Sequence, residues 1–439
     1  MITASRSDSL RGGGRATGGP TAEAEMTVFE TMESNVRGYC RTWPTLFDTA
    51  QGAWLRDGNG RDYLDFFAGA GALNYGHNNP VLKQALLDYI ARDGITHGLD
   101  MSTVAKRELL ETIEQVLLDP RGLDYKVQFP GPTGANAVEA ALKLARKVTG
   151  RTTILNFTNA FHGMSLGALS VTGNAAKRAG AGVPLVHVNP MPYDGYLDGG
   201  ELTWMERALD DNSSGIDRPA AVIVETVQGE GGVNVARAEW LRHLSELCSA
   251  RGILLIVDDV QMGCGRTGPF FSFEIAGITP DIVTLSKSIG GYGMPLALVL
   301  MRRELDQWAP GEHNGTFRGN NPAFVTAKVA LDHFWSDDRL EESTAAKGQR
   351  IHEAFGDLAE GHSGISTRGR GLVQGLVFDD ASQAGKVCRI SFENGLLVET
   401  SGAEDQVVKL LPPLTITDDE LEHGLSILTS AVGAVREGR

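Results

Sequence analysis

The sequence predicts an α/β protein, a mostly parallel sheet with helices on both faces, followed by a smaller α+β lobe. Three observations carry this prediction. Short apolar runs recur between residues 126 and 301: "KVQF", "TILNF", "AAVIVETV", "ILLIVDD", "DIVTLS" and "LALVLM". Amphipathic segments such as "NAVEAALKLARKVTG" and "RAEWLRHLSELCSARG" fall between them, and such strand–helix–strand alternation buries its strands on both faces. After about Asn320 the pattern changes to long helices, then "GLVQGLVF", "GLLVET" and "VVKLLPPL" with a closing helix, which marks a separate lobe.

Taken in order, residues 1–25, "MITASRSDSLRGGGRATGGPTAEAE", have almost nothing to bury and are expected to form a disordered extension. Residues 26–75 form the N-terminal part of a small domain. There "MTVFETMESNVRGYC" has helical spacing, and "AWLRDGNGRDYLDFF" reads as two strands around a D-G-N-G turn. Residues 76–325, opening with "PVLKQALLDYI", hold the large sheet, and 326–439 complete the small α+β domain. There is no internal repeat.

Composition narrows the function. The chain has 439 residues, 42% of them hydrophobic, enough for substantial cores. A net charge of -15, spread along the chain without a basic stripe, disfavours nucleic acid and anionic membrane as partners. No run approaches the roughly 18 apolar residues a membrane helix needs, and no secretory signal opens the chain, so a cytoplasmic protein is expected. Cys40, Cys248, Cys264 and Cys388 lie far apart, which indicates neither a disulfide framework nor a thiolate metal site.

The chemistry gathers where the apolar runs end, since ligands of such sheets bind at the carboxyl ends of the strands. "DIVTLSKSIGGYGMPLALVL" places Lys287 at a strand end before Gly290, Gly291 and Gly293, which are expected to leave room for a ligand; alone, the lysine could simply reach solvent. "ILLIVDD" ends in Asp258 and Asp259, two carboxylates that need partners and imply a buried cation nearby. Asp258 could keep a heterocyclic nitrogen protonated, or serve as a cap or salt bridge. "PGPTGANAVEAALKLAR" opens a helix with no charge in its first turn, so Gly134 and Ala135 could hold a phosphate through their N–H groups, or this could be an ordinary start with Asn136 near the cap. In "TILNFTNAFHG", Phe161 and His162 offer a ring to stack on a flat cofactor, or belong to the core. "AAVIVETVQGEGG" carries Glu225 and Glu230, catalytic acids or partners of a nearby cation. A pyridinium-holding Asp, a phosphate cradle, a stacking ring and a strand-end lysine together meet the needs of a pyridoxal phosphate site, with Lys287 as the Schiff-base amine and proton carrier.

In order and spacing, "PTGANAVEAALKLAR", "FHG", "VIVETVQGEGG", "VDDVQMGCGRTG", "TLSKSIGG" and "GTFRGNNP" resemble the class III, or ω-type, pyridoxal phosphate-dependent aminotransferases. The resemblance runs from about Phe29 to the final helix. It implies fold type I with a seven-stranded sheet. It also implies that Lys287 binds the cofactor aldehyde, Asp258 contacts the pyridine nitrogen, Gln261 the ring hydroxyl and Phe161 the ring face, while Gly134 and Ala135 hold the phosphate. Thr316 would reach the phosphate of the other subunit, making the enzyme a homodimer or larger. Within the family, "FFAGAGALNYGHNNP" and "HNGTFRGNN" look like the branch that makes diaminobutyrate for ectoine. That branch resemblance implies transfer from L-glutamate to L-aspartate 4-semialdehyde, giving L-2,4-diaminobutyrate and 2-oxoglutarate, an osmoprotective role and a K⁺ requirement.

Three positions depart from the family pattern. Lys409 in "VVKLLPPL" stands where ornithine-type members have an arginine, and a lysine lacks the bidentate fork that clamps a carboxylate. Arg318 or Arg41 is therefore expected to help hold a substrate carboxylate. Ala135 replaces a frequent Ser or Thr, and Asp259 a more frequent Glu. Competing readings keep the cofactor but change the substrate to acetylornithine, ornithine or 4-aminobutyrate, change the reaction to a glutamate-1-semialdehyde-type aminomutase, or make the chain a non-enzymatic scaffold.

Overall fold

Seven strands form the central sheet, and from edge to edge they are Tyr125–Gln128, Leu298–Arg302, Ile282–Leu285, Leu254–Asp258, Ala221–Val224, Ile154–Phe157 and Val188–Met191. Only Leu298–Arg302 runs against the others. The computed structural model describes residues 22–197 and 199–438. Every residue of Ala221–Val224 and Ile282–Leu285 is buried, as apolar runs without alternation require, and each Val or Ile so buried contributes about 1.5–3 kcal/mol. Six of the strands match the six apolar runs. The seventh, Val188–Met191, contains Pro190 and lies at the sheet edge, the place where a missing ladder N–H is tolerated.

The helix Gly134–Thr149 packs an alanine-rich face on this sheet. Thr133 caps it, with Asn136 completing the capping box, and Gly150 ends it at φ 68°. Asn136 is thus part of the cap, and Gly134 and Ala135 still occupy the first turn.

Residues divide into two units, Met1–Leu46 and Phe47–Arg439. The first holds helices Ala22–Met32 and Tyr39–Thr42. Of the extension expected over 1–25, residues 1–21 lie outside the described residues, and Ala22 already opens the helix. The boundary after Leu46 also cuts the segment expected as one piece over 26–75. Its strand part belongs with the rest of the chain for a physical reason. Phe47–Gln51, Trp54–Asp57 and Asp62–Asp65 form an antiparallel sheet, to which Leu396–Leu397 adds in parallel, Leu396 opposite Leu64. The D-G-N-G turn is closed by Asp57 Oδ1, which accepts from the N–H groups of Asn59 and Arg61 at 3.0 and 2.9 Å.

A second four-stranded sheet, Ile365–Arg370, Val373–Phe378, Val407–Leu410 and Glu399–Ser401, is wholly antiparallel. Helices Arg339–Gly361, Ala381–Glu393 and Asp418–Arg436 accompany it. Lys409 lies in its third strand, opposite Gly375 on one side and Glu399 on the other.

Candidate active site

A cavity of about 180 Å³ opens at the carboxyl ends of the parallel strands. Gly134, Ala135, Phe161, His162, Glu225, Glu230, Asp258, Gln261 and Lys287 line it together with Gly163, Val260 and Met262. Residues separated by more than 150 positions converge because each follows a strand of one sheet: Phe161 after Ile154–Phe157, Glu225 after Ala221–Val224, Asp258 ending Leu254–Asp258, and Lys287 after Ile282–Leu285.

Asp258 is held from three sides. His162 Nδ1 lies 2.6 Å from its Oδ2, Thr284 donates its hydroxyl to Oδ1 at 3.0 Å, and the Val260 N–H reaches Oδ1 at 3.2 Å. Thr284 is directly opposite Asp258 in the parallel ladder. The group beside Asp258, where a cation was expected, is the His162 ring. Burial opposes its charge, but the hydrogen bond and charge of Asp258, aided by Glu225, raise its pKa above the usual value. Asp259 is held by Ser272. Its carboxylate accepts the Ser272 N–H at 3.0 Å and the Ser272 hydroxyl, and burial pushes its pKa up to about 7. Burial, with Asp258 and Glu230 nearby, likewise raises Glu225 to about 8, although His162 opposes the shift. Glu225 accepts the Phe161 N–H at 3.0 Å, fixing the backbone that presents the ring.

Lys287 is strained and half-buried. Its φ is 54°, rare for a residue with a side chain. Its ammonium donates to the Ala70 carbonyl at 2.7 Å, and burial lowers its pKa to about 8 against the opposing pull of Glu230. The glycines after it do not line the cavity. A Cβ on Gly291 would lie 2.4 Å from the Thr326 carbonyl oxygen, so this glycine lets one backbone approach another, while a Cβ on Gly293 would meet the Leu73 side chain at 2.9 Å.

Gln261 Nε2 donates to Ala70 O at 3.1 Å and to Glu230 Oε1 at 3.2 Å. Glu230 also pairs with Lys409 Nζ at 2.7 Å, and Lys409 pairs with Glu399 at 3.0 Å. Burial works against the Glu230 charge, yet Lys409 and Lys287 hold its pKa down to about 2. Lys409, wholly buried, is raised despite its burial by these two carboxylates. Glu399 and the Ala70 carbonyl escaped the sequence reading. Glu399 could be found only by knowing that it faces Lys409 across the ladder. Ala70 lies in a run from Ala68 to Gly71 whose four φ angles are all positive, hinted at only by "AGAG".

The structure does not bring Thr316 or Arg318 to this cavity. Thr316 is exposed in the turn Thr316–Gly319, and Arg318 donates to Asn314 Oδ1 at 2.9 Å and to the His313 carbonyl at 3.3 Å. Arg41 is exposed in the first unit, donating to the Asn35 carbonyl at 3.2 Å.

The residues present fit pyridoxal phosphate. The N-terminus of Gly134–Thr149 lies at one end of the cavity with no acidic side chain in its first turn, as a phosphate dianion requires. A Cβ on Gly134 would lie 2.8 Å from Val260 Cγ1, so the backbone approaches where a side chain could not. An amine with a depressed pKa and a fixed carboxylate complete the set. Among the described residues, no group of three His, Cys, Asp or Glu is placed to hold a metal ion. No helix among them is long and apolar enough to cross a membrane.

Comparison with known proteins agrees with this geometry. The profile of the family Aminotransferase class-III matches residues 39–432. The diaminobutyrate–2-oxoglutarate transaminase of Nocardia farcinica is 76% identical over 417 residues, 94% of this chain and 96% of that protein. Its counterpart from Streptomyces anulatus is 65% identical over 409 residues, 93% and 97% of the two chains. Among solved structures, an ornithine aminotransferase from Toxoplasma gondii with partial occupancy of PLP at its active site has a TM-score of 0.83 at 29% identity, covering 95% of each chain. An S-selective transaminase from Arthrobacter sp. has a TM-score of 0.84 at 22% identity over 96% and 100% of the two chains, a likeness of fold.

Proposed function

The chain belongs to the class III aminotransferases, and from that premise we propose that it transfers an amino group from L-glutamate to L-aspartate 4-semialdehyde, giving L-2,4-diaminobutyrate and 2-oxoglutarate. The observation that carries this reading is 76% identity, over 94% of the chain, to a transaminase named for diaminobutyrate and 2-oxoglutarate. It is favoured over the ornithine-type alternatives by Lys409, which replaces their arginine. Glutamate formation from L-2,4-diaminobutyrate and 2-oxoglutarate, followed with purified holoenzyme, tests it. Product from ornithine, acetylornithine or 4-aminobutyrate in place of diaminobutyrate overturns the substrate, and isomerisation without 2-oxoglutarate overturns the reaction class.

Pyridoxal 5′-phosphate, when bound, supplies an aldehyde for the amino group and a ring that takes up the electron pair of a deprotonated carbon. The chain's own residues do the rest. Lys287 Nζ would be the amine that attaches the cofactor, and with its depressed pKa it would carry a proton to and from the reacting carbon. Asp258, held by His162 and Thr284, would meet the pyridine nitrogen. Phe161 would cover the ring, Gln261 would meet its hydroxyl, and the Gly134 and Ala135 N–H groups would receive the phosphate.

The two half-reactions make opposite demands on one place. Glutamate carries a carboxylate on the carbon that bears the reacting amine, whereas diaminobutyrate reacts at a carbon with none. We assign Lys409 to the first demand and Glu230 to the second: paired with Glu230, the lysine is neutralised, and released from it, the lysine meets a carboxylate. Arg318 belongs to the distal carboxylate in this reading. Thr316, exposed and outside its own chain's cavity, belongs to the neighbouring subunit's phosphate site, which makes the enzyme a homodimer or larger. The proposed large domain is 76–325, with 326–439 and the strands after Phe47 forming the smaller one. A cytoplasmic enzyme dependent on K⁺, feeding ectoine synthesis for osmoprotection, completes the proposal.

A further inference from the structure

Lys409 sits between two carboxylates that are not equivalent. Glu230 Oε1 is 2.7 Å away and Glu399 Oε1 is 3.0 Å away, while their side chains are 19% and 6% exposed. Only Glu230 lines the cavity. Glu230 comes from a glycine-rich turn, "QGEGG", and shares its carboxylate with Gln261. Glu399 stands directly opposite Lys409 in the antiparallel pair Glu399–Ser401 and Val407–Leu410, so the ladder itself fixes their approach.

A lysine at this position raises a problem that an arginine would not. An ammonium is a point charge on a flexible stem, whereas a guanidinium orients itself on a carboxylate through a planar fork. If Glu230 turned away from a lone Lys409, a buried cation would be left unpaired and free to rotate, at a cost of several kcal/mol. With Glu399 present, a substrate carboxylate replaces Glu230 and the local count stays at one ammonium and two carboxylates. We propose that Glu399 is a positioning residue that holds the Lys409 ammonium in place while Glu230 yields to the carboxylate beside the substrate's reacting carbon. The inference rests on the reading that glutamate and diaminobutyrate share this site.

The test separates the half-reactions. Enzyme loaded with pyridoxamine phosphate is mixed with 2-oxoglutarate, and enzyme loaded with pyridoxal phosphate with diaminobutyrate, each in single turnover. Glu399→Gln is expected to raise the half-saturating 2-oxoglutarate concentration about tenfold and to change that for diaminobutyrate less than about threefold. Glu399→Asp, which keeps the charge but shortens its reach, is expected to lose only about threefold, again on the 2-oxoglutarate side alone. In a Lys409→Arg background the same Glu399→Gln change should cost less than about threefold, because the fork orients itself. Equal losses in both half-reactions, no loss in either, or an undiminished loss beside the arginine overturns the proposal. If Glu399→Gln yields no folded holoenzyme, the Glu399→Asp pattern decides by the same criteria. A wild-type enzyme that reacts with 2-oxoglutarate and ignores diaminobutyrate overturns the substrate reading alone, and Glu399 is then judged on the 2-oxoglutarate side and in the arginine background.

Discussion

At the Asp258 end of the cavity, the charged side chains come from the carboxyl ends of neighbouring parallel strands in one mostly parallel sheet. At the Lys409 end, Glu230, Glu399 and Lys409 come from a glycine-rich turn and two strands of a different, antiparallel sheet. The first end is rigid by construction, since Asp258 and Thr284 are ladder partners and His162 closes on them at 2.6 Å. The second is a set of paired charges, and the proposed reading has Glu230 exchange with a substrate carboxylate. A site that must hold one cofactor and accept two differently charged substrates needs both kinds of construction.

Lys287 lies between the two ends and both act on it, so its removal should have the largest effect. Lys287→Ala is expected to lower turnover by at least about 10³-fold, the upper range for loss of a proton-transfer group, and to abolish the absorbance of the cofactor's covalent attachment. A variant that keeps that absorbance would move the reactive amine elsewhere and dissolve the comparison.

The next test sets the Lys409 end against the fold. Lys409→Met leaves the buried Glu399 and the half-buried Glu230 without their cation, which should cost about 3 kcal/mol of stability, read from denaturant midpoints. If the loss is under about 1 kcal/mol, the charges are better solvated than their burial indicates. Lys287 also predicts a pH dependence. Its amine titrates at about 8 against 10.5 for an ordinary lysine, so attachment of pyridoxal phosphate to apoenzyme should slow about tenfold for each pH unit below 8. The same depression costs the apoenzyme stability below about pH 8, and the cost is relieved as pH rises toward 10.5. Glu230→Gln, removing the carboxylate that favours the ammonium, should lower the midpoint of the attachment rate.

The two ends also differ in how far the sequence disclosed them. Asp258, Glu225, Phe161 and Lys287 each follow an apolar run within a few residues, so local pattern both built the strand and named the side chain. Edge strand Val188–Met191 was missed because Asn189 and Pro190 interrupt its apolar residues. Glu399 was missed because its meaning depends on register with Lys409, and register is set by the whole sheet. The glycines after Lys287 were misread for a related reason. A glycine announces a close approach but not its partner, and here the partner of Gly291 is the Thr326 backbone.

The smallest effect should come from Glu225, and its sign separates a structural acid from a catalytic one. Burial raises this carboxyl from 4.5 to about 8, so the folded protein binds a proton there that the unfolded chain releases above about 4.5. Stability linked to Glu225 is therefore fully present below 4.5 and is lost as pH rises toward 8. Glu225→Gln keeps an oxygen to accept the Phe161 N–H and removes the titration. The variant should be somewhat less stable than wild type below about pH 4.5, because its amide hydrogens must be placed at every pH, and should gain on wild type progressively as pH rises from about 4.5 to 8, read from denaturant midpoints. Turnover should stay within about threefold of wild type, since a group that only holds a backbone through an acceptor is replaced by another acceptor. A loss of about 10²-fold or more would instead make Glu225 a proton carrier and place a second acid–base group at the end of the cavity that is otherwise fixed.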